Sequence, residues 1–390
     1  MEFFKPGKRY NFLAVAKTCI TASAIMVLAS WVLVFTKGLN FGIDFVGGTE
    51  ALIAFKSNID TGELAKTAAG IGLETPEVVV YGLKDSGQYF IRSRTQGVLS
   101  AAEVEKARAA TAKLGEPKLF DTSDESGEEI RVQYPEAKKA SDLEAAFKEG
   151  GFETVAVTVQ SEGANPVLIV RLPGVRQRLD AALATRFGRV AADGSGDGQY
   201  RAIERVESVG SAVGEQMRNQ GILALLYALV GILLYVTFRF DLRFSPGAII
   251  ALFHDLSITI GVFALSGMEF NLPIIAALLA ILGYSINDTI VVYDRIRETS
   301  KMGIAPTLYD TINISVSDTL SRTSLTSGTT FLSVLAIYLL GSGMTQNFAF
   351  AMMVGIVVGT YSSIYVASPF ALFMDNFLSR RQGKAVPAKV

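Results

Sequence analysis

Six long apolar segments constrain this chain more than any other feature of its sequence. Each is close to the ~20 residues that a helix rising about 1.5 Å per residue needs to cross a ~30 Å hydrocarbon core. Five of them follow one another closely in the second half of the chain. We therefore predict six transmembrane helices, at approximately Thr18–Thr36, Gly221–Phe238, Gly247–Ser266, Leu272–Tyr293, Arg322–Leu340 and Asn347–Phe373.

The composition agrees with a polytopic membrane protein. Of the 390 residues, 50% are hydrophobic, and a net charge of −1 argues against a nucleic-acid binder. The single cysteine, Cys19, cannot form an internal disulfide. The first apolar segment follows a basic stretch, as in a secretion signal, but its length and the lack of a small-x-small cleavage site favour an uncleaved anchor.

The segments divide the chain into a first span (1–37), a long polar region (38–220), a bundle of five spans (221–376) and a tail (377–390). Short loops with Lys and Arg alternate with two loops, Gly267–Asn271 and Gly341–Gln346, that have neither. By the positive-inside rule, we expect both termini in the cytoplasm and the polar region in the periplasm.

The polar region contains an internal repeat with a shift of 79 residues, over about 48–115 and 128–190. Leu64 matches Leu143, and Val78 and Val80 match Val157 and Val159. Each copy has the pattern strand, helix, strand, strand, helix, which is typical of an α+β sandwich of ferredoxin-like type. Chance similarity between two α+β stretches is the alternative.

Asp288 is a carboxylate inside the fourth apolar segment. An ionisable side chain there costs at least ~2.5 kcal/mol, which makes it a functional candidate. The polar neighbours Tyr284, Ser285 and Asn287 suit a hydrated carboxylate that exchanges a proton. A buried hydrogen-bond anchor between helices is the alternative interpretation.

Arg322 begins the fifth segment, whose strongly apolar part is only half the required length. The helix must include Arg322 to cross the bilayer, and this places the arginine at the cytoplasmic margin, on the same side of the midplane as Asp288. An ion pair with Asp288 is one expectation, and contact with lipid phosphates is the other. Nearer the cytoplasmic end of the fourth segment, Asp294 and Arg297 have the spacing of a surface pair.

Two further groups lie in the third and sixth segments. His254 and Asp255 have the chemistry of a proton relay, and equally of a polar pair that pins helices together. Gly355, Gly359 and Ser363 recur at every fourth residue, which predicts a flat strip for close helix packing rather than chemistry.

Several separate stretches along the chain resemble one known family. They are Gly42–Thr49, Glu207–Gly214, Phe238–Phe240, His254–Asp255, Glu269–Leu272, Gly283–Thr289, Asp294–Glu298, Ser321–Thr323 and Gly359–Ser363. In this order and spacing they resemble the SecD/SecF family of protein-export membrane proteins, in the resistance-nodulation-division superfamily.

The resemblance implies an inner-membrane SecF-type subunit that works with SecD and the SecYEG translocon and uses protons to move preproteins. Asp288 and Arg322 match the family positions linked with proton flow. We expect no enzymatic activity, cofactor or metal, because the sequence has neither a phosphate loop nor a Cys/His cluster. A small-molecule or lipid exporter of the same superfamily and a passive assembly factor are the rival functions.

Overall fold

The computed structural model describes residues 9–81, 87–94, 101–122, 129–152, 155–160, 166–190, 197–240 and 243–381. It contains two compact units. An α+β unit spans Gly42–Arg218, and a helical unit combines the chain before Gly42 with the chain from Asn219 onward. The predicted cytoplasmic ends, at 1–8 and 382–390, lie outside the described residues.

The helices follow the predicted segments but several are longer. They are α1 (Ala16–Thr36), α2 (Ile43–Val46), α3 (Thr61–Gly70), α4 (Ala101–Ala112), α5 (Ala140–Glu149), α6 (Val175–Phe187), α7 (Ser211–Arg239), α8 (Ser245–Ser266), α9 (Leu272–Met302), α10 (Leu308–Leu340), α11 (Gly343–Ser362) and α12 (Ser368–Arg381). A π-helical segment, Ser363–Ala367, joins α11 to α12.

The strands of the α+β unit form two antiparallel four-stranded sheets, and one short parallel pair belongs to the helical unit. They are β1 (Asn40–Phe41), β2 (Gly48–Phe55), β3 (Glu77–Tyr81), β4 (Gln88–Ser93), β5 (Leu119–Asp121), β6 (Glu129–Gln133), β7 (Ala156–Val159), β8 (Val167–Arg171), β9 (Tyr200–Val209) and β10 (Glu269–Phe270). The sheet orders are β3-β4-β2-β9, β5-β6-β8-β7 and β1-β10.

The two halves of the α+β unit have matching sheets, as the sequence repeat predicts, but their second helices lie in the opposite cores. From α6, Val175, Leu179 and Leu183 are buried in the core of the first sheet. From α4, Ala107 and Ala110 are buried in the core of the second sheet. Chain connectivity explains this arrangement, because α6 leads to β9 of the first sheet and α4 leads to β5 of the second.

Two glycines shape the entry to the first sheet. Gly47 follows α2 with φ of +78°, and Gly48 opens β2 with φ of +134°. Such angles are costly for residues with a Cβ. A Cβ on Gly48 would also collide with the Ser93 carbonyl oxygen on β4. These two glycines therefore form a tight turn at the entry to the first sheet.

Within the described ranges, six stretches are long and apolar enough to cross a membrane, and all of them except the first residues of the second stretch belong to the helical unit. They are Phe12–Thr36, Ala212–Arg239, Ser245–Ser266, Leu272–Met302, Leu308–Leu340 and Gly343–Arg380. The prediction of six spans in a multi-pass membrane protein is confirmed. Within this unit α9 packs against α8, α10 and α11, while α1 packs against α8, where Trp31 Nε1 donates to Ser257 Oγ at 3.2 Å.

The fifth span begins earlier than the apolar pattern predicts. Helix α10 starts at Leu308, and Arg322 lies well inside it. In its polar first half, hydroxyls donate to carbonyl oxygens one turn back, as Ser315 Oγ does to Thr311 O at 2.8 Å and Thr319 Oγ1 to Ser315 O at 2.9 Å. These hydroxyls are therefore satisfied within the helix.

Candidate membrane-embedded site

Asp288 lies on α9 and is 2% exposed. Ser327 Oγ, from α10, donates to Asp288 Oδ2 at 3.1 Å. Thr360 Oγ1, from α11, donates in turn to Ser327 Oγ at 2.8 Å. Three helices thus supply a carboxylate and two hydroxyls to one hydrogen-bonded chain, in which each hydroxyl polarises the next.

Close packing of α11 against α9 brings these groups together. A Cβ on Gly355 would lie 2.7 Å from Ile281 Cγ2, and one on Gly359 would lie 3.1 Å from Ser285 Cβ. The absent side chains allow the two backbones to approach, as in other small-residue interfaces. Gly359 immediately precedes Thr360, so this approach places the Thr360 hydroxyl at the site.

The third member of the predicted strip, Ser363, is buried at the start of the π-helical segment. Its hydroxyl donates to Thr360 O at 3.0 Å. Residues Gly355 and Gly359 therefore contact α9, whereas Ser363 bonds within its own helix.

Arg322 does not pair with Asp288 among the described residues. The guanidinium is exposed, although its positive charge acts on the Asp288 carboxylate. Ser327, about one turn further along α10, makes the direct contact instead. The sequence-based depth argument brings Arg322 and Asp288 to the same level, but in the structure Ser327 is the α10 residue that faces Asp288 on α9.

The other predicted neighbours of Asp288 lie on different faces of α9. Tyr284 donates from its hydroxyl to Thr330 Oγ1 on α10 at 3.3 Å. Ser285 is buried, one turn before Asp288. Asn287 is exposed, because ~100° of rotation per residue turns it away from the face that Asp288 occupies.

Asp255 on α8 forms a second buried carboxylate cluster. It is 0% exposed, and His254 Nδ1 lies 2.8 Å from its Oδ1. Its other oxygen accepts from Ser285 on α9 and, at 2.8 Å, from Ser362 on α11. This carboxylate therefore joins three helices, and Ser285 connects it to the turn of α9 that also carries Asp288.

His254 extends this cluster toward α1. Its ring stacks on Tyr361, with centroids 6.1 Å apart. The Tyr361 hydroxyl lies 3.1 Å from Ser23 Oγ and donates to Cys19 O at 3.0 Å. His254 Nε2 is buried without a hydrogen-bond partner in the described part of the chain.

Sequence reasoning missed Thr360, Tyr361 and Ser362 as site residues. These three residues lie between Gly359 and Ser363, where the spacing of small residues predicts close helix packing. The hydroxyl groups in that close-packed stretch could have identified them, because they make the polar contacts with Ser327 and Asp255.

The predicted pair of Asp294 with Arg297 is wrong. Asp294 instead pairs with Arg239 of α7 at 3.2 Å, and the neighbouring Arg295 pairs with Asp318 of α10 at 2.6 Å. These partly exposed contacts are separate from the buried carboxylates. The described residues also contain no group of three or more His, Cys, Asp or Glu side chains that could hold a metal ion.

Two protein families match separate parts of this chain. Residues 194–377 match the family described as protein export membrane protein SecD/SecF, C-terminal. Residues 32–59 match the SecD/SecF GG motif.

Similar proteins align over nearly the whole chain. The chain is 34% identical to protein translocase subunit SecF of Koribacter versatilis, covering 98% of this chain and 94% of that protein. It is 35% identical to SecF of Magnetococcus marinus, covering 100% and 99% respectively.

Solved structures of SecDF are similar as well. The crystal structure of Thermus thermophilus SecDF, described as a translocon-associated membrane protein, matches with a TM-score of 0.63 at 30% identity. The match covers 96% of this chain and 40% of the SecDF chain, so this chain spans two fifths of that longer protein.

Proposed function

This chain belongs to the SecD/SecF family of protein-export membrane proteins, and from that premise we propose that it is a SecF-type accessory subunit of the Sec translocon. It acts with a SecD partner beside SecYEG and uses the proton gradient to promote movement of preproteins across the bacterial inner membrane. Protons are taken up and released at Asp288.

One observation carries the proton-handling part of the proposal. Asp288 is buried in a membrane helix, yet it accepts a hydrogen bond from a neutral hydroxyl rather than pairing with a cation at contact distance. A carboxylate with a permanent ion-pair partner is held charged, whereas one held by hydroxyls can take a proton without breaking an ion pair. Because Ser327 and Thr360 can rotate their hydroxyls, they can support either protonation state.

Movement follows from the link between the site and three helices. When Asp288 is charged, Ser327 and Thr360 hold α10 and α11 against α9, and the Arg322 charge attracts the same carboxylate. Protonation of Asp288 removes the charge assistance from the Ser327 hydrogen bond, and a hydrogen bond to a charged group is worth about 1.5–3 kcal/mol. The helices then shift, and this shift is transmitted to the α+β unit.

A membrane partner is supported by the exposure of Arg322. A cationic side chain in a membrane helix is costly unless protein, water or phosphate surrounds it. The Thermus thermophilus relative SecDF contains more than twice the length that this chain covers. In the complex, SecD contacts Arg322 and shields it from lipid.

The orientation follows from the distribution of basic loops. Arg239 ends α7 and Arg243 precedes α8, whereas the loop between α8 and α9 has no Lys or Arg. The proposal therefore places both termini in the cytoplasm and the α+β unit in the periplasm.

Export into inverted inner-membrane vesicles tests the function. Asp288→Asn keeps the side chain nearly the same size but cannot exchange a proton, so proton-dependent stimulation of export should be lost. Asp294→Asn is a matched control, because the same change lies on the same helix at a partly exposed position. Normal proton-coupled stimulation with Asp288→Asn would overturn the proposal, and full export with Asp288→Asn and Arg322→Gln combined would favour a passive assembly factor.

A further inference from the structure

His254 is a buried titratable side chain that the proposed function does not use. It lies on α8 and is 3% exposed, and its Nδ1 is 2.8 Å from Asp255 Oδ1. Its other ring nitrogen, Nε2, is buried without a hydrogen-bond partner among the described residues. Nearly all buried polar atoms of folded proteins have such a partner, so an unpartnered ring nitrogen at this position requires a physical explanation.

The contact with Asp255 determines which ring nitrogen carries the proton. An ionised carboxylate can only accept a hydrogen bond, so this contact requires a proton on His254 Nδ1. In a neutral ring the second nitrogen then has a lone pair and no proton. His254 Nε2 is therefore a buried acceptor, and its lone pair is a position at which a further proton can bind.

A proton bound to Asp255 instead would weaken the contacts that join three helices. Asp255 Oδ2 accepts from Ser285 Oγ of α9 and from Ser362 Oγ of α11, and its Oδ1 faces His254. All three hydrogen bonds are stronger while the carboxylate is charged. A proton at His254 Nε2 leaves Asp255 charged and turns the contact with Nδ1 into a pair of opposite charges.

Among the described residues, Asp255 is the carboxylate that faces the ring. On α9, Asp288 is bound by Ser327 of α10, and on α12, Asp375 pairs with Arg243 at 2.9 Å. The other elements packed against α8 place groups near the cluster that are neutral at pH 7 in their ordinary protonation states, namely Cys19 on α1, Tyr361 on α11 and Tyr365 in the π-helical segment.

A row of aromatic side chains connects the ring with the beginning of α1. The His254 ring stacks on Tyr361 with centroids 6.1 Å apart, and an aromatic face stabilises a cation at about this distance. The ring of Tyr365 lies 5.2 Å from that of Tyr361 and 6.2 Å from that of Phe12. Both tyrosines are half-buried, so their hydroxyls give a proton a polar route between the surface of the helical unit and His254.

From these contacts we infer that the His254–Asp255 pair is a second proton-binding site of the helical unit, at which the proton binds to His254 Nε2. Water at the surface supplies the proton. One N–H bond forms at Nε2, and the ring changes from neutral to positively charged beside the ionised Asp255.

The inference deepens the proposed function and rests on it for its biological meaning, because the two sites share two helices. Helix α9 carries both Asp288 and Ser285, and Ser285 donates to Asp255. Helix α11 carries Thr360, which belongs to the Asp288 site, and Ser362, which donates to Asp255. A proton at either site therefore changes contacts made by α9 and α11.

The protonation of His254 can be measured directly, because this chain has one histidine and isotopic labelling of histidine nitrogen reports on it alone. The sample is the full chain in lipid vesicles, purified without a histidine tag and observed by solid-state NMR. We expect a neutral ring with its proton on Nδ1 at about pH 8, and protons on both nitrogens as the pH is lowered to about 5. A ring that stays neutral over this range, or a neutral ring with its proton on Nε2, would overturn the inference.

Two variants test the part that Asp255 plays. Asp255→Asn removes the charge beside the ring, so the spectral change should move to lower pH by about one unit or more. Asp294→Asn makes the same substitution on α9, where Asp294 pairs with Arg239, and should give the spectrum of the parent. An unmoved change in Asp255→Asn would show that the pair is not the site. The spectrum of the parent decides the inference even if Asp255→Asn does not fold.

The two proposals fail separately. The NMR measurement needs neither a proton gradient nor export, so a ring that never gains a second proton overturns this inference without affecting proton-driven export through Asp288. Conversely, normal export stimulation with Asp288→Asn overturns the proposed function, and proton binding at His254 remains measurable.

Discussion

Gly355→Ala tests the close packing of α11 against α9 on which the site depends. The added Cβ would lie 2.7 Å from Ile281 Cγ2 and nearer still to Cγ1 and Cδ1 of the same side chain. Ile281 is itself 1% exposed and cannot turn aside freely. Overpacking of this kind typically costs about 1–3 kcal/mol. We therefore expect a lower thermal unfolding midpoint for the purified protein in detergent.

Two further variants separate the collision from the change of residue type. A Cβ on Gly283, in the interior of α9, would have no atom within 4 Å, so Gly283→Ala should gain up to about 1 kcal/mol from helix propensity. Ile281→Ala removes all three colliding atoms, and alone should cost about 2–5 kcal/mol. In the double variant with Gly355→Ala, the cost should be at least about 1 kcal/mol less than the sum. Additive costs, or an unchanged midpoint for Gly355→Ala, would refute the packing argument.

Three other predictions test separate parts of the molecule. Asp255→Asn replaces a carboxylate oxygen with an amide nitrogen and so leaves a buried hydrogen-bond partner unsatisfied, which should destabilise the helical unit by about 1–3 kcal/mol in detergent. An unchanged midpoint would contradict the anchoring role of Asp255. Gly48→Ala should destabilise the α+β unit more than Gly115→Ala, since both glycines have positive φ but, of the two, only Gly48 also faces a carbonyl oxygen. Equal losses of unfolding free energy in denaturant titrations would disprove the collision. Burial raises the pKa of the Tyr134 phenol to about 12, so the stability that the neutral phenol contributes is present below pH ~10 and is lost as the pH rises through about 12. Tyr134→Phe should therefore flatten the dependence of the unfolding midpoint on pH across that window. A pH dependence equal to that of the parent would contradict the role of Tyr134.

Much of the membrane fold follows from the sequence because hydrocarbon imposes strict requirements. A span must be long and apolar, so six helices and the anomalous Asp288 can be recognised without a structure. Which residue faces a neighbouring helix is harder to predict when several polar residues are adjacent in the sequence. Asn287 and Asp288 are neighbours in sequence, yet only Asp288 faces α10. The partner Ser327 belongs to a row of hydroxyls among which sequence alone does not choose.

The α+β unit shows a different limit. The repeat predicts which elements exist and their order, because equivalent residues recur at a fixed shift. It does not predict that α4 and α6 lie in opposite cores, since the repeat relates the two helices to each other but assigns neither helix to a sheet. The choice is made by β5 and β9, which follow these helices and lie outside the matched pattern.

Proton uptake and release by Asp288 can be measured by pH-dependent infrared difference spectroscopy of the full chain together with SecD in lipid vesicles. We expect a protonated-carboxyl band that appears as the pH is lowered in the parent and in Asp294→Asn, and that is lost in Asp288→Asn. If the same band persists in Asp288→Asn, or is absent from the parent protein, Asp288 is not the proton carrier.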